Sequence, residues 1–304
     1  MRVLVAGGTG FVGRYLIPAL KQSGHQVVVL GRSVEKIQAC FGRDMPALTW
    51  LQLNQASPDE FDAVINLTGE NIGEKRWNDK RRELILKSRV EATTILVDFC
   101  LRAEKTPPHL YNTSAIGIYG VHRETSQVLA EQDALKTPQD FLSRVALAWE
   151  AAAARGERAG LKVTIMRFGV VLKSGEGMLK PLLPAFKLGL GSVLGDGSQF
   201  LSWISIHDLV RAILFLLEHP NLCGPFNLCA PEAVTQRQFA QSLARYLNRP
   251  LFLRLPRWFL LAAFGQMGEE LLLGSQRVCP ARLLAMNFQF VTPGLTLTTW
   301  KLLF

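Results

Sequence analysis

The first 33 residues constrain this chain more than any other stretch. Arg2 to Ala6 is a short apolar run, followed by Gly7-Gly8-Thr9-Gly10-Phe11-Val12-Gly13. A helical pattern then runs from Phe11 to about Ser23, and a second apolar run covers Gln26 to Leu30. Strand, glycine turn, helix and strand make one βαβ element. Gly8, Gly10 and Gly13 fit G-x-G-x-x-G, and Gly7, Gly10 and Gly13 fit G-x-x-G-x-x-G. Either spacing serves one purpose: backbone N–H groups approach a pyrophosphate, and the positive end of the helix dipole points at it. Placed between strand and helix, the turn predicts a dinucleotide site formed by Gly7, Gly8, Thr9, Gly10, Phe11, Val12 and Gly13.

The end of the second strand bears on which dinucleotide. An acidic residue there would hold the ribose 2′-hydroxyl of NAD. This chain instead has Leu30-Gly31-Arg32-Ser33, and its first carboxylate is Glu35, in the next helix. Arg32 suits a 2′-phosphate, with Ser33 as a hydrogen-bond donor and Arg14 as a second cation. NADP(H) is therefore expected in preference to NAD(H).

Hydrophobic patterning extends the same architecture. Strands are expected at Leu48 to Leu53, Phe61 to Leu67, His109 to Ser114, Lys162 to Leu172 and Pro225 to Cys229. Helices are expected at Val34 to Phe41, Glu74 to Ala103, Asp140 to Arg158, Met178 to Leu188 and His207 to Glu218. The expected fold is α/β, a Rossmann-type doubly wound parallel sheet over residues 1–230. A small C-terminal α+β domain on the substrate side is expected over residues 231–304, where prolines and glycines break the chain into short segments. Thr235 is placed to cap a helix running to Leu247. In open α/β sheets ligands bind beyond the carboxyl ends of the strands. Leu67, Thr68 and Gly69 should thus border the cofactor, with Glu70 and Asn71 facing it or the substrate.

Charge and cysteine usage narrow the function classes. The 34 basic residues exceed the 25 acidic ones, for a formal charge of +9. The cations are scattered without interleaved aromatics, so no nucleic-acid partner is expected; the charge fits solubility and attraction for a phosphorylated ligand. Five cysteines, odd in number and without a C-x-x-C, read as free thiols in a reducing compartment. No apolar run is long enough for a membrane span, and the chain opens directly in a core strand. A cytoplasmic protein without a membrane partner is the expectation, and no metal site is expected.

Four motifs recur in an order that carries a resemblance. They are Gly7 to Gly13, Asn66-Leu67-Thr68-Gly69-Glu70, Ser114-Ala115-Ile116-Gly117-Ile118-Tyr119-Gly120 and Ser202-Trp203-Ile204-Ser205-Ile206-His207-Asp208-Leu209. The chain resembles the extended short-chain dehydrogenase/reductase superfamily. More closely it is similar to an atypical branch of the NAD(P)-dependent epimerase family whose members carry a C-terminal domain of unknown function, here marked by Gly274-Ser275-Gln276-Arg277-Val278 and Pro280. The resemblance spans nearly the whole chain. It implies hydride transfer on a carbonyl, alcohol or sugar-nucleotide-like substrate. It also implies a Tyr-x-x-x-Lys pair on a helix and a serine on the preceding strand, the lysine lowering the tyrosine pKa.

Ser114 matches the serine position, but the pair is missing. Leu142 and Ala146 occupy its two places, and Arg89 stands where the superfamily has a supporting asparagine. Tyr119 is then the leading candidate base, with Glu70 and His207 behind it. Arg167 is placed on the cofactor side of the cleft, as a binder of a phosphate or carboxylate. The expected partner is an anionic small-molecule substrate. A homodimer through Glu83 to Leu101 and Leu142 to Arg158 is the assembly the resemblance implies. The alternative to an enzyme is a catalytically silent NADP(H)-binding sensor or scaffold.

Overall fold

A computed structural model describes residues 1–121, 127–135 and 137–304. Six strands and five helices alternate through the first half: β1 (Arg2–Ala6), α1 (Phe11–Gln22), β2 (Gln26–Gly31), α2 (Val34–Phe41), β3 (Ala47–Thr49), α3 (Trp50–Leu53), β4 (Ala63–Asn66), α4 (Asp79–Leu101), β5 (His109–Ala115), α5 (Phe141–Arg158) and β6 (Val163–Phe168). With the strand Gly224–Leu228 they form a seven-stranded sheet. Reading across it, the order is Gly224–Leu228, β6, β5, β4, β1, β2, β3. Every pairing is parallel. The strands are near-continuous apolar runs because helices cover both faces. α1 and the helix Ile206–Glu218 cover one face, with Leu16, Ile17, Leu20, Leu209, Ile213 and Leu216 fully buried. α4 and α5 cover the other, through Leu96, Val97, Cys100 and Ala153. The strand order reverses between β1 and β4, so a crevice opens above their carboxyl ends.

Four expected boundaries shift for local reasons. The third strand stops at Thr49, because Thr49 and Gln52 form a capping box that starts a helical turn where strand was expected. The long helix begins at Asp79 instead of Glu74, with the Asn78 side chain accepting from Arg81 N at 2.8 Å. The sixth strand breaks at Gly169, whose missing side chain leaves room for the Ser202 carbonyl 3.0 Å from an ideal Cβ. Beyond it Val170–Leu172 leaves the sheet and pairs with Trp203–Ser205. The helix expected from His207 starts one residue earlier, capped by Ser205.

The smaller lobe is not the tail alone. Val234–Thr235 pairs with Phe200–Leu201, and Leu253–Leu255 pairs with Ser192–Leu194. Its core mixes Leu179, Leu183, Phe186 and Trp203 with Phe239, Leu243 and Trp300. Conversely, Leu283 and Phe288 from the tail pack into the core under the main sheet. Residues on the two sides of 230 therefore share the core under α1 and the core of the smaller lobe.

Candidate nucleotide-binding cleft

The turn after β1 is shaped by three close approaches. Gly7 has φ +77°, and a Cβ there would lie 2.9 Å from the Leu67 carbonyl carbon. A Cβ on Gly8 would lie 2.5 Å from Ile17 Cδ1, and one on Gly13 would lie 2.2 Å from the Gly8 oxygen. Gly7 and Gly13 thus clamp the turn against the end of β4 and against the first turn of α1. Gly10 differs. It is exposed, it is the N-cap of α1, and it supplies no side-chain cap. The N-terminus of a twelve-residue helix therefore opens on the crevice beside bare backbone. Thr9 is exposed and Phe11 lies along the rim, its ring 3.2 Å from an ideal Cβ on Gly177. This cradle fits a dinucleotide pyrophosphate.

Along the same crevice, Arg32 is exposed at the end of β2 and has no hydrogen-bond or ion-pair partner among the described residues. Its two expected helpers are engaged. Ser33 caps α2, accepting from Lys36 N at 3.2 Å and donating to Glu35 Oε2 at 2.6 Å. That hydrogen bond holds the Glu35 carboxyl below its usual range. Arg14 is paired with Glu176 at 2.6 Å. Of the two cations, Arg14 is thus committed and Arg32 is not.

The end of β4 is held from below by buried side chains that sequence patterning missed. Asn66 Nδ2 donates to Thr93 Oγ1 at 2.9 Å and to Asn112 Oδ1 at 2.7 Å. Trp149 Nε1 also donates to Thr93 Oγ1, at 2.9 Å. Asn66 Oδ1 accepts from Thr68 N at 3.1 Å, which fixes the backbone of Leu67 and Thr68 over the crevice. Gly69 lies against the Arg89 guanidinium, 3.0 Å from an ideal Cβ. Arg89 donates to the Glu70 and Ile85 carbonyls and stacks over the Trp149 ring at 5.0 Å. Burial pushes its pKa down to about 10, against the pull of Glu70. Glu70 itself pairs with Arg81 at 2.7 Å, so its carboxylate fastens the loop after β4.

The expected proton-transfer residues are placed otherwise than the sequence suggests. Ser114 is buried, and its hydroxyl donates to Glu150 Oε1 at 2.7 Å. Because side chains alternate along a strand, the half-buried residue at this end of β5 is Ala115. Tyr119 is 1% exposed; its one hydroxyl proton is shared between Asn227 Oδ1 at 3.0 Å and the Ala130 carbonyl at 3.1 Å, and its oxygen accepts from Arg167 Nη1 at 2.8 Å. Burial pushes its pKa up and Arg167 only partly opposes this, so the phenol is moved away from the range a base needs. Arg167 is buried too, bound to Glu150 through Nε–Oε1 and Nη2–Oε2, each 2.9 Å. It serves as the centre of an internal network, which corrects its expected role as a ligand-facing cation. Leu142 and Ala146 lie on α5 as expected, and neither carries a proton. His207 is exposed, with Nε2 3.2 Å from the Leu302 carbonyl, and Asp208 receives the backbone N–H groups of Val291 and Thr292. The Ser202 to Leu209 motif therefore anchors the tail.

The tail also braces the cleft wall. Glu270 is buried and receives Phe141 N at 3.1 Å and Leu142 N at 2.9 Å, which caps α5 from outside. Gln276 Nε2 donates to the Ile116 and Gly120 carbonyls, at 3.2 and 2.8 Å. Among the described residues no group of acidic, histidine or cysteine side chains could hold a metal ion, and no helix is long and apolar enough to cross a membrane.

Comparison with known proteins matches this geometry. Residues 3–229 fit the model of the NAD dependent epimerase/dehydratase family, and residues 255–296 fit a domain of unknown function, DUF1731. An epimerase family protein of Mycobacterium bovis is 36% identical over 292 residues, 95% of this chain and 93% of the relative. Epimerase family protein YfhF of Bacillus subtilis is 33% identical over 293 residues, covering 95% and 94%. The crystal structure of human epimerase family protein SDR39U1 (isoform 2), determined with NADPH, superposes with a TM-score of 0.86 at 34% identity, covering 98% of this chain and 97% of that one. A UDP-glucose 4-epimerase of Thermus thermophilus, with a TM-score of 0.77 at 17% identity, shares the fold. The extended short-chain dehydrogenase/reductase architecture, the glycine cradle and the paired tail all agree: this chain belongs to the NAD dependent epimerase/dehydratase family.

Proposed function

We propose that the protein binds NADP(H) in the crevice above β1 and β4. We further propose that it acts as an oxidoreductase or epimerase-like enzyme on a carbonyl, alcohol or sugar-nucleotide-like substrate. The observation that carries this reading is the bare N-terminus of α1 beside Gly10, with the uncommitted Arg32 at the end of the adjacent strand. NADPH in the human relative supports the phosphate preference. The nicotinamide, when bound, supplies or accepts the hydride. In this reading Gly7 to Gly13 orient the pyrophosphate, Arg32 holds the 2′-phosphate, and Leu67, Thr68 and Gly69 bound the crevice on the substrate side. Ser114 and Tyr119 keep Glu150 and Arg167 in place behind the reacting centre. Because Leu142 and Ala146 can carry no proton, water supplies the one added to the oxygen in carbonyl reduction and takes the one released in alcohol oxidation.

That same replacement favours a second reading, a silent NADP(H)-binding sensor or scaffold. A single-turnover experiment separates the two. Protein loaded with NADPH is mixed with aldehydes and ketones, and protein loaded with NADP+ with alcohols and sugar nucleotides, while the reduced-nicotinamide absorbance is followed. A fall with any carbonyl, or a rise with any alcohol or sugar nucleotide, supports the enzyme. Stable absorbance across the panel, with tight binding retained, supports the sensor.

A further inference from the structure

Two neighbouring turns of the smaller lobe form a surface that nucleotide binding does not use. The first follows the helix Leu179–Lys187 and leads to the strand Ser192–Leu194. The second follows the helix Gln236–Tyr246 and leads to the strand Leu253–Leu255. Because those strands pair in parallel, Leu253 opposite Ser192, both turns emerge at the same edge. They touch there: an ideal Cβ on Gly189 would lie 3.6 Å from the ring of Pro250.

Three large apolar side chains stand out from this edge. Leu188 is 75% exposed, Phe252 74% and Leu190 54%. Single exposed apolar residues are ordinary, but three on two touching turns are a patch. Around them Lys187, Arg245 and Arg249 are exposed. The residues from Lys187 to Ser192 and from Arg245 to Leu253 contain no Asp or Glu. An apolar tip flanked along the chain by exposed cations, with no carboxylate in either segment, suits the interface of an anionic bilayer, where apolar groups enter the acyl boundary and cations meet the headgroups.

We propose that this edge docks on an anionic lipid surface, with Phe252, Leu188 and Leu190 inserted and Lys187, Arg245 and Arg249 on the phosphates. No spanning helix is needed for this. Such contact is peripheral and reversible. The surface is independent of the cofactor reading and would stand if that reading failed.

Vesicle flotation tests it with the full chain. Vesicles of equal parts phosphatidylcholine and phosphatidylglycerol are compared with phosphatidylcholine alone. Binding to the anionic vesicles only, weakened by salt, is expected. Phe252→Ser should lower it about tenfold, and Lys187→Glu with Arg249→Glu should abolish it. Each variant is checked to melt like the parent, because these exposed side chains support no packing. Absence of binding to anionic vesicles overturns the proposal. So does binding that all variants retain, since the overall +9 charge would then suffice. Self-association of the parent that Phe252→Ser abolishes would also overturn it, assigning the edge to a second copy of the chain.

Discussion

Arg167 lies along Glu150 with Nε on Oε1 and Nη2 on Oε2, both at 2.9 Å, deep between β6 and α5. A paired charge of this kind is costly to break from one side. Removing the arginine leaves a largely buried carboxylate, its side chain 15% exposed, without a counter-charge, which destabilises by about 3 kcal/mol, the low end for buried pairs. Arg167→Met should therefore lower stability by that amount in urea unfolding, while Arg167→Met combined with Glu150→Gln should cost clearly less than the sum of the single changes. Additive losses would mean the two side chains do not depend on each other.

Tyr119 belongs to the same network, and its hydroxyl has Arg167, Asn227 and the Ala130 carbonyl around it. Tyr119→Phe should cost about 1–3 kcal/mol of stability by leaving those groups without their partner. NADPH affinity should be unchanged, because the ring is buried behind the cleft. A variant of parental stability that loses turnover would instead restore Tyr119 as the base.

His109 gives a pH signature. Burial first, and Lys162 next, lower its pKa from 6.5 to about 4. Nε2 lies 2.8 Å from Thr164 Oγ1, and among the described residues Nδ1 is buried without a hydrogen-bond partner, as suits a neutral ring. Because the folded value is depressed, the unfolded chain binds the proton more readily. The stability this provides is full above about pH 6.5 and is lost as pH falls towards 4. The loss is on the order of 3 kcal/mol, at about 1.4 kcal/mol per unit. His109→Phe should flatten the stability profile over that window. An unchanged slope would place the acid sensitivity elsewhere.

Much of this fold was legible in the chain because its strands are continuous apolar runs and its glycine turn lies between a strand and a helix. The glycine cradle, Arg32 and the absent Tyr-x-x-x-Lys pair could be read directly. The positions of Ser114, Tyr119 and Arg167 along the chain suggest that they face the cleft, whereas all three are buried. Their burial depends on Glu150, which lies 36 residues from Ser114 and 17 from Arg167. One signal was available: an arginine inside an apolar strand requires a buried carboxylate partner. The smaller lobe was less legible, since two-residue and three-residue strands drawn from separate stretches carry too little pattern to show that they pair.

Glu270 shows what the tail contributes. It receives two backbone N–H groups at the start of α5. Glu270→Ala should lower stability by about 1–3 kcal/mol through those donors, more than an exposed cap would. It should also raise hydrogen exchange at Phe141 and Leu142 before it does so elsewhere in α5. Unaltered exchange there would mean α5 is held without the tail.

The cradle itself separates fold from function. Gly13→Ala would drive a methyl against the Gly8 oxygen, 2.2 Å away, and should disrupt the turn. Gly10→Ala meets only the Gly7 oxygen, at 3.2 Å, so the chain should fold with little loss of stability. Its methyl would stand where the pyrophosphate approaches, and NADPH affinity should fall at least tenfold. Parental affinity in Gly10→Ala would remove the pyrophosphate from this turn.

The most direct test of the central claim is titration calorimetry of NADPH and NADH against the parent and Arg32→Ala. The cleft predicts that NADPH binds at least tenfold more tightly than NADH, about 1.4 kcal/mol, and that Arg32→Ala removes the difference while leaving NADH binding in place. Failure of both cofactors to bind, or a preference that survives Arg32→Ala, would contradict the account.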